Sequence, residues 1–141
     1  MISKSTLQKA KSFLCWEVFS RLTVQLIERQ NSISYFFPPS KQSTIIVLYP
    51  KETSDFTIPL FHLFHEAGHL IQYNEMNNTG KSKTFWNNVN IPTGKEKMKF
   101  EQKGWQKGHV LLKKFMEREN LESDILEQYD VYAVKSTETY K

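Results

Sequence analysis

Leu60-Phe61-His62-Leu63-Phe64-His65-Glu66-Ala67-Gly68-His69-Leu70-Ile71 is the stretch that decides how this chain is read. At about 100° per residue, an α-helix places His65 and His69 roughly 40° apart on one face. Leu60, Leu63, Phe64, Ala67, Leu70 and Ile71 gather on the opposite arc, which is wide enough to bury against a core. The imidazoles then turn away from that core, toward a cleft or solvent. Glu66 stands beside them, one residue on, where it can reach a water near the histidines without taking a ligand position.

Neutral imidazole is a good zinc ligand, and two histidines one turn apart can share a tetrahedral ion. The plainer alternative is an amphipathic helix whose polar face happens to carry His62, His65 and His69. The apolar arc is also correctly placed, so the metal reading is preferred. Two ligands do not complete a site. The third is sought further along the chain.

Thr93-Gly94-Lys95-Glu96 has the spacing of a capping box and predicts a helix ending near Asn120. Its buried stripe reads Met98, Trp105, Leu112, Phe115 and Met116, with Gly108 in the same arc. Glu101 falls inside that stripe. A carboxylate on a core face is costly unless it is paired or bound to a metal, so Glu101 is the expected third ligand. The plainer reading pairs Glu101 with Lys97, one turn earlier. Lys97 is expected to lie off the apolar stripe, and surface pairs add little.

The rest of the chain frames these two helices. Ser3 or Ser5 can cap a first helix expected to run to about Gln30, with Leu7, Ala10, Leu14, Val18, Phe19, Leu22 and Leu26 on a wide stripe and Cys15 and Trp16 in the core. Ser32 to Phe37 and Thr44 to Tyr49 read as strands that pair across the break at Pro38-Pro39-Ser40-Lys41. Thr57-Ile58-Pro59 sets proline in the first turn of the histidine helix. That helix is expected to fade after Tyr73 into a loop over residues 74–90, anchored by Phe85 and Trp86. Asp124 to Glu127 repeats the capping spacing ahead of a short last helix carrying Leu126, Tyr129, Tyr132 and Ala133, with a loose tail from Lys135.

With 141 residues and 39% apolar content, the chain is read as one compact α+β domain with a small antiparallel sheet. Cys15 is the only cysteine, which excludes an internal disulfide and a thiolate-rich zinc site. No signal peptide or membrane span is read, so a cytoplasmic protein is expected. The net charge of +4 is modest and comes largely from Lys81, Lys83, Lys95, Lys97, Lys99, Lys103, Lys107, Lys113 and Lys114. Such a run is usually a solvated helix face rather than a nucleic-acid surface.

One zinc ion per chain on His65, His69 and Glu101 leaves a fourth position open, as catalytic zinc does. Glu66 is then placed as general base for attack of water on a peptide or amide carbonyl. Tyr73 and His109 are candidates for stabilising the oxyanion. His62, one turn before His65, suits the wall of the cleft. If the strand Thr44, Ile45, Ile46, Val47, Leu48, Tyr49 lies at a sheet edge, it can hold an extended peptide substrate.

These residues give the chain a family resemblance. His65-Glu66-x-x-His69 with Glu101 resembles a zincin of the gluzincin type, and more narrowly the small bacterial and phage-borne metallopeptidase-like proteins related to the ImmA/IrrE group. Glu101-x-x-Gly104-Trp105-x-x-Gly108-x-x-Leu111-Leu112 is similar to a pattern in such proteins that usually has alanine where Gly104 stands. Asp130-Val131-Tyr132-Ala133 is similar to their closing helix. The resemblance implies a minimal zincin-like fold, a zinc peptidase acting on a protein or peptide partner, and the same ligands and base. Oligomeric state is left open. Two other classes compete: a zinc-stabilised binding module without turnover that uses its Lys-rich face, and a nucleic-acid binder whose affinity falls steeply with salt.

Overall fold

A computed structural model describes residues 1–37 and 42–141; the expected turn at Pro38 to Lys41 lies outside the described residues. The architecture is α+β, with helices before and after a three-stranded sheet. The chain divides into two compact units, Met1–Ala67 and Gly68–Lys141, so the boundary falls inside the histidine helix.

In the first unit, Ser3 caps α1 (Lys4–Phe13), its hydroxyl oxygen accepting from the Thr6 amide at 3.1 Å. Leu7, Ala10 and Phe13 are buried on one face. The helix does not continue to Gln30. A single π-helical turn, Leu14–Val18, ends with the Phe19 amide bonded to the Leu14 carbonyl, and β1 (Leu22–Arg29) follows. The reason is legible in hindsight: Leu22 and Val24 are buried two residues apart while Gln25 is exposed, and Thr23, Val24 and Ile27 are β-branched. Trp16 is 86% exposed and Cys15 half-buried, so neither belongs to the core. Trp16 stands about half a turn from Leu7 on an α-helix, and its size alone does not turn it inward.

β2 (Ile33–Phe37) and β3 (Ser43–Pro50) pair antiparallel, with Tyr35 opposite Ile46. The sheet as a whole is mixed, because β1 runs parallel to β3, with Val24 opposite Ile45. Its order is β1-β3-β2. β3 alternates cleanly: Ser43, Ile45, Val47 and Tyr49 are buried, and Thr44, Ile46 and Leu48 half-buried. The expectation that Thr44 to Tyr49 receives a substrate strand is therefore corrected. It is the central strand, with β1 paired along one edge and β2 along the other from Thr44 to Leu48, so it is not an edge open to a further chain.

α2 (Thr57–Asn78) opens where the Asp55 carboxylate accepts from the Thr57 amide and hydroxyl and from the Ile2 amide. It outlasts Tyr73 by more than a turn and ends at Gly80, whose φ of +74° suits a residue without Cβ.

In the second unit the expected loop holds a helix of its own, α3 (Ser82–Asn90), with Phe85 fully buried and Trp86 41% exposed. α4 (Lys95–Glu119) starts from Gly94 rather than from a Thr93 cap, and stops at a left-handed Asn120. α5 (Asp124–Glu138) takes in most of the expected tail, and Thr137 is buried. The Tyr129 hydroxyl donates to the Trp105 carbonyl at 2.8 Å, fixing α5 to α4. Of the lysine run, Lys81, Lys83, Lys95, Lys99, Lys103, Lys113 and Lys114 are exposed. Lys107 is half-buried against Glu75 at 2.8 Å, and Lys97 is buried. Among the described residues, no helix is long and apolar enough to cross a membrane.

Candidate metal centre

The motif helix is buried all round rather than on one arc. Leu63 to Leu70 are all buried, with His65, Glu66 and His69 at 8%, 7% and 6% exposure. A helix with polar groups so placed has to satisfy them internally. Glu101 on α4, 6% exposed, answers that requirement. One ligand atom from each of His65, His69 and Glu101 lies within 4.8 Å of the others. Nε2 of His69 and Oε2 of Glu101 are 2.8 Å apart. Glu66 places Oε1 4.0 Å from Nε2 of His65.

His69 is held on several sides. Its Nδ1 lies 2.6 Å from Oε1 of Gln72, and the Gln72 amide nitrogen donates to the Phe100 carbonyl at 3.0 Å. A carbonyl can only accept, so Phe100 fixes which end of the amide faces the ring. Oε1 can likewise only accept, so Nδ1 must donate. With Nδ1 committed to Gln72, Nε2 is the nitrogen that faces Glu101: in the protonated ring it donates to the carboxylate, and in the neutral ring its lone pair is free to ligate a metal. The Phe100 ring stacks on the imidazole at 4.9 Å between centroids. Gly104 forms the remaining wall: a Cβ there would meet the His69 ring at 2.7 Å.

Glu101 is poised as an anion. Burial alone pushes its carboxyl up, but the hydrogen bond and charge of His69, the Lys97 ammonium and a hydrogen bond from Tyr140 outweigh it and hold the pKa below the ordinary value. The plainer reading of Glu101 as an exposed partner of an exposed Lys97 is corrected on both counts. Lys97 is 7% exposed, and its Nζ donates to the Val89 and Asn88 carbonyls at 3.0 and 3.3 Å.

The remaining candidates have other surroundings. Tyr73 is half-buried and packs edge-on to Phe85 at 5.3 Å. His109 turns Nδ1 to Asp130 on α5 at 2.8 Å. His62 is half-buried, and desolvation lowers its pKa from 6.5 to about 4, which keeps the ring neutral. Gln72 and Tyr140 contact His69 and Glu101 in ways that spacing did not reveal. Gln72 had the clearest signal, lying three residues after His69 and so on nearly the same helix face.

The donor set fits a divalent ion. It comprises two imidazoles and a carboxylate, all buried, with one imidazole fixed in its ligating tautomer. No family model, curated protein or solved structure matches the chain.

Proposed function

We propose that this chain is a metal-dependent peptidase of the gluzincin kind, acting on a protein or peptide with zinc as its ion. The observation that carries the reading is the buried group of His65, His69 and Glu101, with ligand atoms within 4.8 Å of one another. These three residues would hold the ion, and the ion would supply Lewis acidity toward a substrate carbonyl and acidify water. Glu66 follows His65 directly and is itself buried. Its carboxylate takes the proton from water and returns it to the leaving amine. Three protein donors leave room for water and substrate, whereas a purely structural zinc site is usually closed by four.

Metal content after purification without added metal, compared between wild type and Glu101→Ala, tests the site. About one zinc per wild-type chain and a clear loss in the variant are expected. Glu66→Gln then separates an enzyme from a zinc-stabilised binding module. It should keep the metal and abolish cleavage of a fluorogenic peptide library. Undiminished cleavage by Glu66→Gln would defeat the mechanism, and a wild type that binds no metal when zinc is supplied would defeat the whole reading.

A further inference from the structure

Tyr140 reaches the candidate centre from the segment after α5, and three independent contacts hold it there. Its hydroxyl hydrogen-bonds the Glu101 side chain. Its carbonyl accepts from the Gly94 amide at 2.7 Å, at the residue that caps α4. Its ring lies under the Lys97 ammonium, with Nζ 5.3 Å from the centroid. The same Nζ is 5.4 Å from the Phe100 centroid, and Phe100 in turn stacks on His69. One buried cation thus sits between the aromatic ring beside His69 and the aromatic ring that bonds Glu101.

We propose that Tyr140 is a positioning residue for the metal centre, its hydroxyl orienting the Glu101 carboxylate so that one oxygen is presented to the ion. This rests on the metal-site reading above. A glutamate side chain has three rotatable torsions, and a carboxylate near an ion can present one oxygen, both, or neither. A phenol donating to it removes part of that freedom before the ion arrives, so less ordering remains for binding. The ring and backbone contacts explain how a residue beyond the last helix can do this. The Gly94 amide fixes its backbone, and the Lys97 ammonium over the ring face is an attractive cation–π contact. Gly94 has a φ of +111°, which a residue with a Cβ rarely adopts, so the start of α4 is shaped to leave this amide facing Tyr140.

Tyr140→Phe is the discriminating variant, because it removes the hydroxyl while keeping the ring under Lys97 and the carbonyl on Gly94. Zinc affinity is read by competition with a chromogenic chelator. The geometry of the site is read from the visible absorption of the cobalt(II)-substituted protein, and melting of the ion-free protein is the control. The expected result is about 10- to 100-fold weaker zinc binding with an altered cobalt spectrum and an unchanged ion-free melting temperature. Wild-type affinity and an unchanged spectrum in Tyr140→Phe would overturn the assignment while leaving the peptidase reading intact. A lowered ion-free melting temperature accompanying the loss of metal would also overturn it, by making Tyr140 a structural residue. Absence of zinc binding in the wild type itself would remove the site and the positioning role together.

Discussion

Gln72 accepts a hydrogen bond from Nδ1 of His69 at 2.6 Å, and this contact keeps a proton on Nδ1 of a ring three residues earlier on the same helix. The bond is directional because the other end of the Gln72 amide is committed to the Phe100 carbonyl. A backbone group of α4 therefore sets the tautomer of a side chain on α2, and does so one residue before Glu101. The candidate ligand and the group that orients it are built from the same pair of helices.

Replacing Gln72 by leucine keeps the volume but removes both bonds, leaving Nδ1 of His69 without its acceptor in a buried setting. Outer partners of ligating histidines typically contribute about 10- to 100-fold to metal affinity, and a loss in that range is expected here. Chelator competition on Gln72→Leu reads it directly. Affinity equal to wild type would mean that the stacking of Phe100 on the ring is sufficient.

Glycine-to-alanine changes within helices usually stabilise, by about 1 kcal/mol, so the opposite sign at Gly68 is diagnostic. A Cβ there would lie 1.9 Å from the Gly104 carbonyl oxygen and 2.8 Å from the Gly108 nitrogen, where two backbones touch. Gly68→Ala is expected to cost about 3 kcal/mol or more, measured by urea unfolding. Gly104→Ala is the graded case. Its Cβ would meet Cε1 and Nδ1 of His69 at 2.7 and 2.9 Å, so the ring has to turn and metal affinity should fall. Stability gained at Gly68, or metal affinity kept at Gly104, would contradict the close crossing.

The grouping of His65, His69 and Glu101 was legible because its signals are local. His65 and His69 announce themselves by spacing, and Glu101 by standing in an apolar stripe between Met98 and Trp105. Gln72 and Tyr140 were not legible because their meaning depends on partners 28 and 39 residues away in sequence. Gly104 stands out in the sequence only as a departure from a pattern that usually has alanine, and the His69 ring beside it shows why a side chain is excluded. β1 was misread for a different reason. Leu22 and Leu26 satisfy a helical stripe as well as Leu22, Val24 and Leu26 satisfy a strand face, and the choice is made by pairing with β3. The loop assigned to residues 74–90 overlooked that Gly80 stops one helix and that Phe85 gives the next a buried anchor.

Lys97 offers a test of the second unit that is read in the stability of the ion-free protein. Its ammonium caps the last carbonyls of α3, and nothing apolar can replace that donor. Lys97→Met keeps the buried stem but abandons the Asn88 and Val89 carbonyls, at an expected cost of about 1–3 kcal/mol. Hydrogen exchange should show faster opening across residues 82–90 than elsewhere in the chain. Uniform protection with unchanged stability would mean that solvent satisfies those carbonyls equally well.

His62 predicts how the fold responds to acid. Its folded pKa is lowered to about 4 from 6.5 because burial disfavours the imidazolium. Between these values the unfolded chain binds the proton and the folded chain does not. Stability is therefore fully present above pH 6.5 and falls as the pH drops toward 4. The full difference corresponds to a loss on the order of 3 kcal/mol. His62→Leu removes this titration without touching His65, His69 or Glu101. Urea midpoints in the presence of a chelator, taken at several pH values from 7 to 4.5, should therefore fall less steeply for the variant. Parallel curves for the two proteins would show that the His62 ring finds solvent or a partner for its charge, and that acid sensitivity comes from His65 and His69 instead.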